Sequence, residues 1–327
     1  MATQLRPLSL GEVLDRTAEL YRTNFPLFAG ISAVFAGAML LTGLLQLGVQ
    51  YLLGYPHIPP AREWAYGIAV IVTALVALLI AGLWVAAIAR AVAWIYLGEA
   101  TTIRDAVLSV VPRLRRYMWV MTIVGFRAWA PIAALYVVLL AALFAYFPRG
   151  FLTNPAVMQS AAPPPPATLI ALGIGVLVLA PLFLVALIYG ILMSLRYSLA
   201  VPVCVVEELP ASEAIKRSIL LSKGSRGRIF VLGLLVYAVY LVLGIVLGLP
   251  FIVFAFKHHG HAIPIWMLAA QQIASFAVNT LIGPIYSAGL TLFYYDQRVR
   301  KEGFDIEWMM RSAGLTQQAG LPAAEHS

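Results

Sequence analysis

Four charged side chains in an otherwise apolar sequence carry most of the chemistry this chain can offer. Arg90, Arg127 and Arg196 lie inside long hydrophobic runs, and Asp296 stands at the end of the last one. A guanidinium at membrane depth is costly and normally faces protein, a cavity or an anion. Arg90 and Arg196 stand at similar offsets near the ends of their runs. There the side chain can snorkel to the interface or hold an anionic group. Arg127 lies about ten residues, or roughly 15 Å, inside its run, with Trp129 and Pro131 close behind. Its expected partner is a backbone carbonyl, an acid near the interface or an anionic ligand. Asp296 occupies a place broadly like those of Arg90 and Arg196, so an ion pair among these is expected. These four residues form the candidate ligand-binding set.

Other chemistries find less support. Lys257-His-His-Gly-His261 puts three imidazoles on one loop, with His57 the other histidine expected on that side. Zinc needs a fixed geometry and usually a fourth ligand, so no metal site is assigned. Ser222-Lys-Gly-Ser-Arg-Gly lacks the order of a phosphate-binding loop and follows no strand. There is no Ser/His/Asp arrangement and no H-E-x-x-H, and no cofactor is implied. Glu99, Glu207 and Glu208 are read as solvated residues of the chain's elbows. Cys204 is the single cysteine and sits in an apolar run, where it acts as a small hydrophobe.

The elements that must position these residues follow from composition. Of 327 residues, 62% are hydrophobic and 11% charged, and mean hydropathy is +0.90. Soluble domains carry about a quarter charged residues. A membrane crossing needs about 20 apolar residues, and stretches near 27–53, 66–97, 118–146, 168–200, 229–256 and 265–295 qualify. Lipid offers the backbone no hydrogen-bond partner, so these are expected to be helices. Net charge is +8, and sixteen of the 22 Lys and Arg fall in the N-terminus, two long polar connections and the tail. That side is expected to be cytoplasmic, with both termini inside. The basic balance therefore reports topology and attraction to anionic lipid, and no motif points to nucleic acid. The first 26 residues carry Glu12, Asp15 and Glu19 and do not read as a cleavable signal peptide.

A short unit recurs before each pair of crossings: Ser9-Leu-Gly-Glu12-Val-Leu, Thr102-Ile-Arg-Asp105-Ala-Val and Pro210-Ala-Ser-Glu213-Ala-Ile. A basic residue follows ten positions after each acid, at Arg22, Arg115 and Lys223. Ser9 with Glu12 is a capping box, Thr102 with Asp105 a weaker version, and Pro210 can open a helix by itself. In the first copy Leu10, Val13, Leu14, Thr17 and Tyr21 recur at helical spacing, which predicts an amphipathic surface helix. Pro112 should end or kink the second such helix before the basic cluster Arg113, Arg115 and Arg116.

The fold predicted is all-α: a polytopic membrane protein of six transmembrane helices in three hairpins, each preceded by a cytoplasmic amphipathic helix. Residues 1–312 form one membrane domain of three modules, about 1–100, 101–208 and 209–312, and 313–327 form a disordered tail. The second arms are too long for one crossing, since residues 66–97 alone would make a helix of about 48 Å. They should overshoot or break, with Pro181 and Pro202 as the breaks in the fourth. Gly244-x-x-x-Gly248 is expected to support close helix packing. Pro163 to Pro166 read as a stiff polyproline spacer.

Three segments together resemble a bacterial family of multi-pass proteins. They are Arg6-Pro-Leu-Ser-Leu-Gly-Glu-Val-Leu-Asp15 with Tyr21-Arg-Thr-Asn-Phe25, then Arg196-Tyr-Ser-Leu-Ala-Val-Pro202 through Glu207 and Ala214-Ile-Lys-Arg-Ser218, and Tyr294-Tyr-Asp-Gln-Arg-Val-Arg-Lys-Glu-Gly-Phe-Asp305. The chain resembles the family named after the membrane domain of glycerophosphoryl diester phosphodiesterases. The resemblance implies a bacterial inner-membrane location. In fused members it also implies a separate soluble barrel that carries a metal-binding acid and histidine set. No matching motif is present and the residues after 305 are too few for that barrel, so no catalytic residue carries over. The expected function is a non-enzymatic scaffold or a lipid- or anion-interacting module. Membrane lipids, and a membrane-protein partner, are its expected partners, and no motif sets an oligomeric state. The alternatives are a permease with a path near Arg127 and a membrane-embedded hydrolase.

Overall fold

The structure, a computed structural model, describes residues 6–55, 58–146, 166–257 and 263–312. His57, Arg149, Pro163 to Pro165, His258, His259, His261 and the tail from 313 lie outside the described residues. So do the spacer, histidine-loop and tail expectations that fall on them.

Among the described residues the fold is helical, with no strand. Six helices are long and apolar enough to cross a membrane: α2 (Phe25–Leu53), α3 (Glu63–Tyr96), α5 (Leu114–Tyr146), α6 (Pro166–Tyr197), α9 (Arg226–Lys257) and α10 (Ile265–Glu302). Shorter helices join them: α1 (Leu10–Thr23), α4 (Ile103–Val110), α7 (Ala200–Val206), α8 (Ala211–Ser222) and α11 (Phe304–Ser312). The long helices pair as three hairpins, α2 with α3, α5 with α6 and α9 with α10, and α10 also packs along α2.

Each hairpin's leading helix starts at its recurring unit, by a different device. At α1 the Glu12 N–H donates to Ser9 Oγ at 3.2 Å, and the Ser9 N–H donates to Glu12 Oε2 at 2.7 Å. Arg6 pairs with the same carboxylate. The Ser9 N–H bond, with Arg6 added, pulls the Glu12 carboxyl down to about 2. At α4 the Asp105 N–H donates to Thr102 Oγ1 at 3.2 Å, while the Thr102 hydroxyl donates to Asp105 Oδ2 at 2.6 Å. At α8 Pro210 supplies the extended backbone and accepts the Ala214 N–H at 2.9 Å. Pro112 ends α4 as expected, in a single 3-10 turn over Val111–Arg113.

The core lies at one end of the bundle, where the short helices pack between the ends of the long ones. Ala86 to Ala89 and Ala91 to Val92 of α3 are almost completely buried, as are Phe28, Ile31, Ala106, Tyr117, Ile229 and Leu292 to Tyr295. So is nearly all of α7, including Cys204. Toward the other end the long helices present apolar side chains outward, with Leu52, Leu177, Phe256, Trp266 and Trp64 all about two-thirds exposed or more. That surface suits acyl chains as solvent, because water would exact the full hydrophobic penalty there.

The overlong arms resolve in two ways. Helix α3 overshoots without interruption, and its 34 residues span about 51 Å. The fourth arm breaks at Ser198 and Leu199, between α6 and α7. Pro202 causes this at a distance: it has no N–H to donate to the carbonyl of Ser198, four residues earlier, and its ring crowds that carbonyl. Pro181, expected as a second break, sits inside a continuous α6.

Close packing falls on different glycines from those expected. A Cβ on Gly283 would lie 2.0 Å from the Trp84 ring, whose indole N–H donates to Ser32 Oγ at 3.0 Å. Gly283 is therefore the notch that lets α2, α3 and α10 meet. A Cβ on Gly244 or Gly248 would meet nothing within 4 Å, so among the described residues these glycines pack closely against no other helix.

Candidate functional site

The buried end of the bundle holds three groups of charged side chains. In the first, the Asp296 side chain is fully buried. Its Oδ1 accepts the backbone N–H of Leu8 at 2.8 Å and Arg300 Nε at 2.9 Å. Its Oδ2 accepts Arg228 Nη2 at 3.1 Å and Gln297 Nε2 at 3.0 Å. The same two arginines donate to the Leu8 carbonyl, and Arg228 lies over the Phe293 ring at 5.2 Å. A buried carboxylate is tolerated when its lone pairs are this fully engaged. The cluster joins the N-terminal segment, the start of α9 and the end of α10. Asp296 therefore pairs with Arg228 and Arg300, where Arg90 or Arg196 had been expected. The physical reason is local: Arg300 stands four residues on, on the same face of one helix.

The second group joins α8, α10 and α11. Arg217 Nε donates to Glu207 Oε2 at 3.0 Å and Arg217 Nη2 to Glu302 Oε2 at 2.8 Å. The Tyr294 hydroxyl donates to Glu207 Oε1 at 2.9 Å. Arg298 pairs with Glu302 and lies 4.1 Å over the Phe304 ring. Glu207 is thus a mostly buried ion-pair partner rather than a solvated elbow residue.

The third group is open. Glu208 is half exposed, with 45% of its side-chain surface accessible, and its φ is +55°. Its Oε1 accepts from Arg113, and from Arg90 at 3.5 Å, while Arg116 donates to its backbone carbonyl. The Arg113 bond holds the Glu208 carboxyl below the usual carboxylate range. Arg90 also lies 5.8 Å over Trp94, and its buried Nε has no hydrogen-bond partner among the described residues. Beside this group opens a cleft of about 660 Å³ lined by Pro112, Arg113, Arg115, Arg116, Trp119, Pro210 and Ala211. Arg115 has no partner among the described residues. The arrangement can hold an anion: two guanidiniums share one carboxylate oxygen, a third takes the backbone carbonyl, Arg115 lines the cleft beside them, and arginine forks match carboxylate and phosphate oxygens.

The four residues singled out from sequence thus go to separate places. Arg90 joins the open group and Asp296 the closed one. Arg196 is half-buried at the end of α6, where its carbonyl accepts from Ser218 and Ser222, at 3.3 and 3.1 Å, and its Nε is buried without a partner among the described residues. Arg127 is exposed on the flank of α5 beside Phe126 and Trp129, lines none of the clefts above and has no partner among the described residues. The residues that complete the groups, Arg113, Arg115, Arg116, Arg217, Arg228, Arg298 and Arg300, had read only as topology-setting charge. One signal was available for part of them: Asp296 with Arg300 and Arg298 with Glu302 are i,i+4 pairs. Among the described residues no three His, Cys, Asp or Glu side chains converge as metal ligands.

Compared with protein-family models, with curated proteins and with solved structures, the chain matches none.

Proposed function

We propose that the protein is a multi-pass module of the bacterial inner membrane, a non-enzymatic scaffold that engages anionic lipid or other anions at its arginine-lined cleft. The observation that carries this is the cleft itself. Arg113, Arg115 and Arg116 line it together with an exposed Trp119, a pairing of cationic and interfacial aromatic side chains suited to a headgroup layer. The lopsided distribution of Lys and Arg in the sequence supports an orientation with this end, and both termini, in the cytoplasm. The resemblance to the phosphodiesterase membrane-domain family agrees with such a role, without its barrel chemistry.

The test is lipid analysis of the full chain purified from membranes, beside an Arg115→Gln/Arg116→Gln variant. The variant should retain severalfold less anionic lipid with zwitterionic lipid unchanged. Equal retention of anionic lipid would sink the proposal. A reporter fused after Ser327 that is active only outside the cytoplasm would reverse the orientation.

A further inference from the structure

Resting on the function proposed above, we infer that the arginine cleft is a phosphate site for an anionic phospholipid headgroup, and that the Glu208 carboxylate is its resident stand-in, displaced when the phosphate arrives.

The backbone supplies the first argument. Glu208 is the single non-glycine residue with a positive φ among the described residues. A side chain in that region is strained and stays there only when its surroundings impose it. Here they do, because two adjacent acids are drawn apart. Glu207 points into the second group toward Arg217 and Tyr294, and Glu208 is pulled the other way by Arg113 and Arg90. Release of the Glu208 carboxylate would let that residue relax, whereas Glu207 is locked.

The donor inventory supplies the second. One carboxylate oxygen serves two guanidiniums, the third takes only a backbone carbonyl, and Arg115 is left without a partner among the described residues. The Arg90 Nε is buried and has none among them either. Donors therefore exceed what one carboxylate satisfies. A tetrahedral phosphate offers oxygens in more directions than a planar carboxylate and can engage several arginines at once.

The surroundings supply the third. Pro112, Trp119, Pro210 and Ala211 line the cleft beside the arginines; Trp119 is 61% exposed, and Val111, on the turn that carries Arg113, is half exposed. An apolar rim beside a cationic cleft suits a molecule with a charged head and an acyl body rather than a free anion. The Glu208 side chain, already half exposed, can swing into water when displaced.

The full chain, delipidated in a neutral detergent, would be titrated with phosphatidylglycerol, with phosphatidylcholine and with inorganic phosphate, and bound species counted by native mass spectrometry. The inference expects Glu208→Gln to bind phosphatidylglycerol about tenfold more tightly than the native chain, because the competing charge is gone. Arg115→Gln, whose side chain supports no fold contact among the described residues, should bind it severalfold more weakly. Unchanged affinity in Glu208→Gln with weakened affinity in Arg115→Gln overturns the stand-in and leaves the anion cleft standing. Unchanged affinity in both variants removes the cleft as well. Binding of phosphate as strong as that of phosphatidylglycerol overturns the lipid as ligand, and so does equal binding of phosphatidylcholine.

Discussion

The groups around Asp296 and Glu208 are built from the same parts, one carboxylate and several arginines, and behave as opposites. Asp296 is fully buried, and both its oxygens are engaged by donors from three separate stretches of chain. Glu208 is half exposed, bonded through one oxygen, and set in a strained backbone beside an open cleft. The difference shows that an ion pair's place in a fold is set by donor balance. Where donors and acceptors match, the pair fastens the structure. Where donors are in surplus, guanidinium N–H groups are left over, which is the basis for the anion site proposed above.

Substitutions can break or sharpen this contrast. The largest effect is expected from Asp296→Ala, which leaves Arg228 and Arg300 facing each other without their acid. Stability in detergent should fall by about 3–5 kcal/mol, as removal of one partner from a buried pair does. Glu208→Ala, by contrast, should change the unfolding temperature little, as for an exposed pair. If the two alanine variants lost equal stability, the distinction between closed and open groups would fail.

A smaller effect isolates the strain. Glu208→Gly should be about 1 kcal/mol more stable than Glu208→Ala, because glycine accepts a positive φ freely; thermal melts of the two side by side decide it. Comparable in size, Ser9→Ala should cost about 1 kcal/mol through the lost cap, and it probes the segment that delivers Leu8 to Asp296. Gly244→Ala should stay within about 0.5 kcal/mol of the native chain, since the added methyl meets nothing.

The smallest effect is acid-dependent. The Glu12 carboxyl titrates at about 2 in the fold, below its ordinary value of 4.5. A depressed folded value means the ionised form stabilises the fold above 4.5, and this contribution fades as pH drops from there toward 2. Glu12→Gln should therefore differ from the native chain in melting temperature at neutral pH and converge with it near pH 2.

The sequence made the architecture readable because its signals are local. Ser9 with Glu12, Thr102 with Asp105 and Pro210 each mark a helix start within four residues, and 20-residue apolar runs mark the crossings. The break before Pro202 was readable to within four residues, the distance over which a proline acts. Long-range assembly was not readable. Leu8 meets Asp296 across 288 positions, and nothing in either residue names the other. Arg127 drew attention by its depth in an apolar run, yet depth along a helix does not say which face a side chain occupies. Arg113, Arg115 and Arg116 were counted as charge. Their role depends on Glu208, which α7 and the turn after it bring alongside. Leu8, Glu207, Arg217, Tyr294, Asp296 and Arg300 come from stretches far apart in the sequence and meet only once the chain has folded.

The clasp on Leu8 has a consequence in time. Its N–H and carbonyl are held by Asp296, Arg228 and Arg300, and Asp296 and Arg300 are made 288 and 292 residues after it. At roughly 5–20 residues per second, the N-terminal segment waits on the order of 15–60 s beside the emerging chain before its partners exist. The clasp that fixes the N-terminal segment can therefore close only after the last long helix has been made.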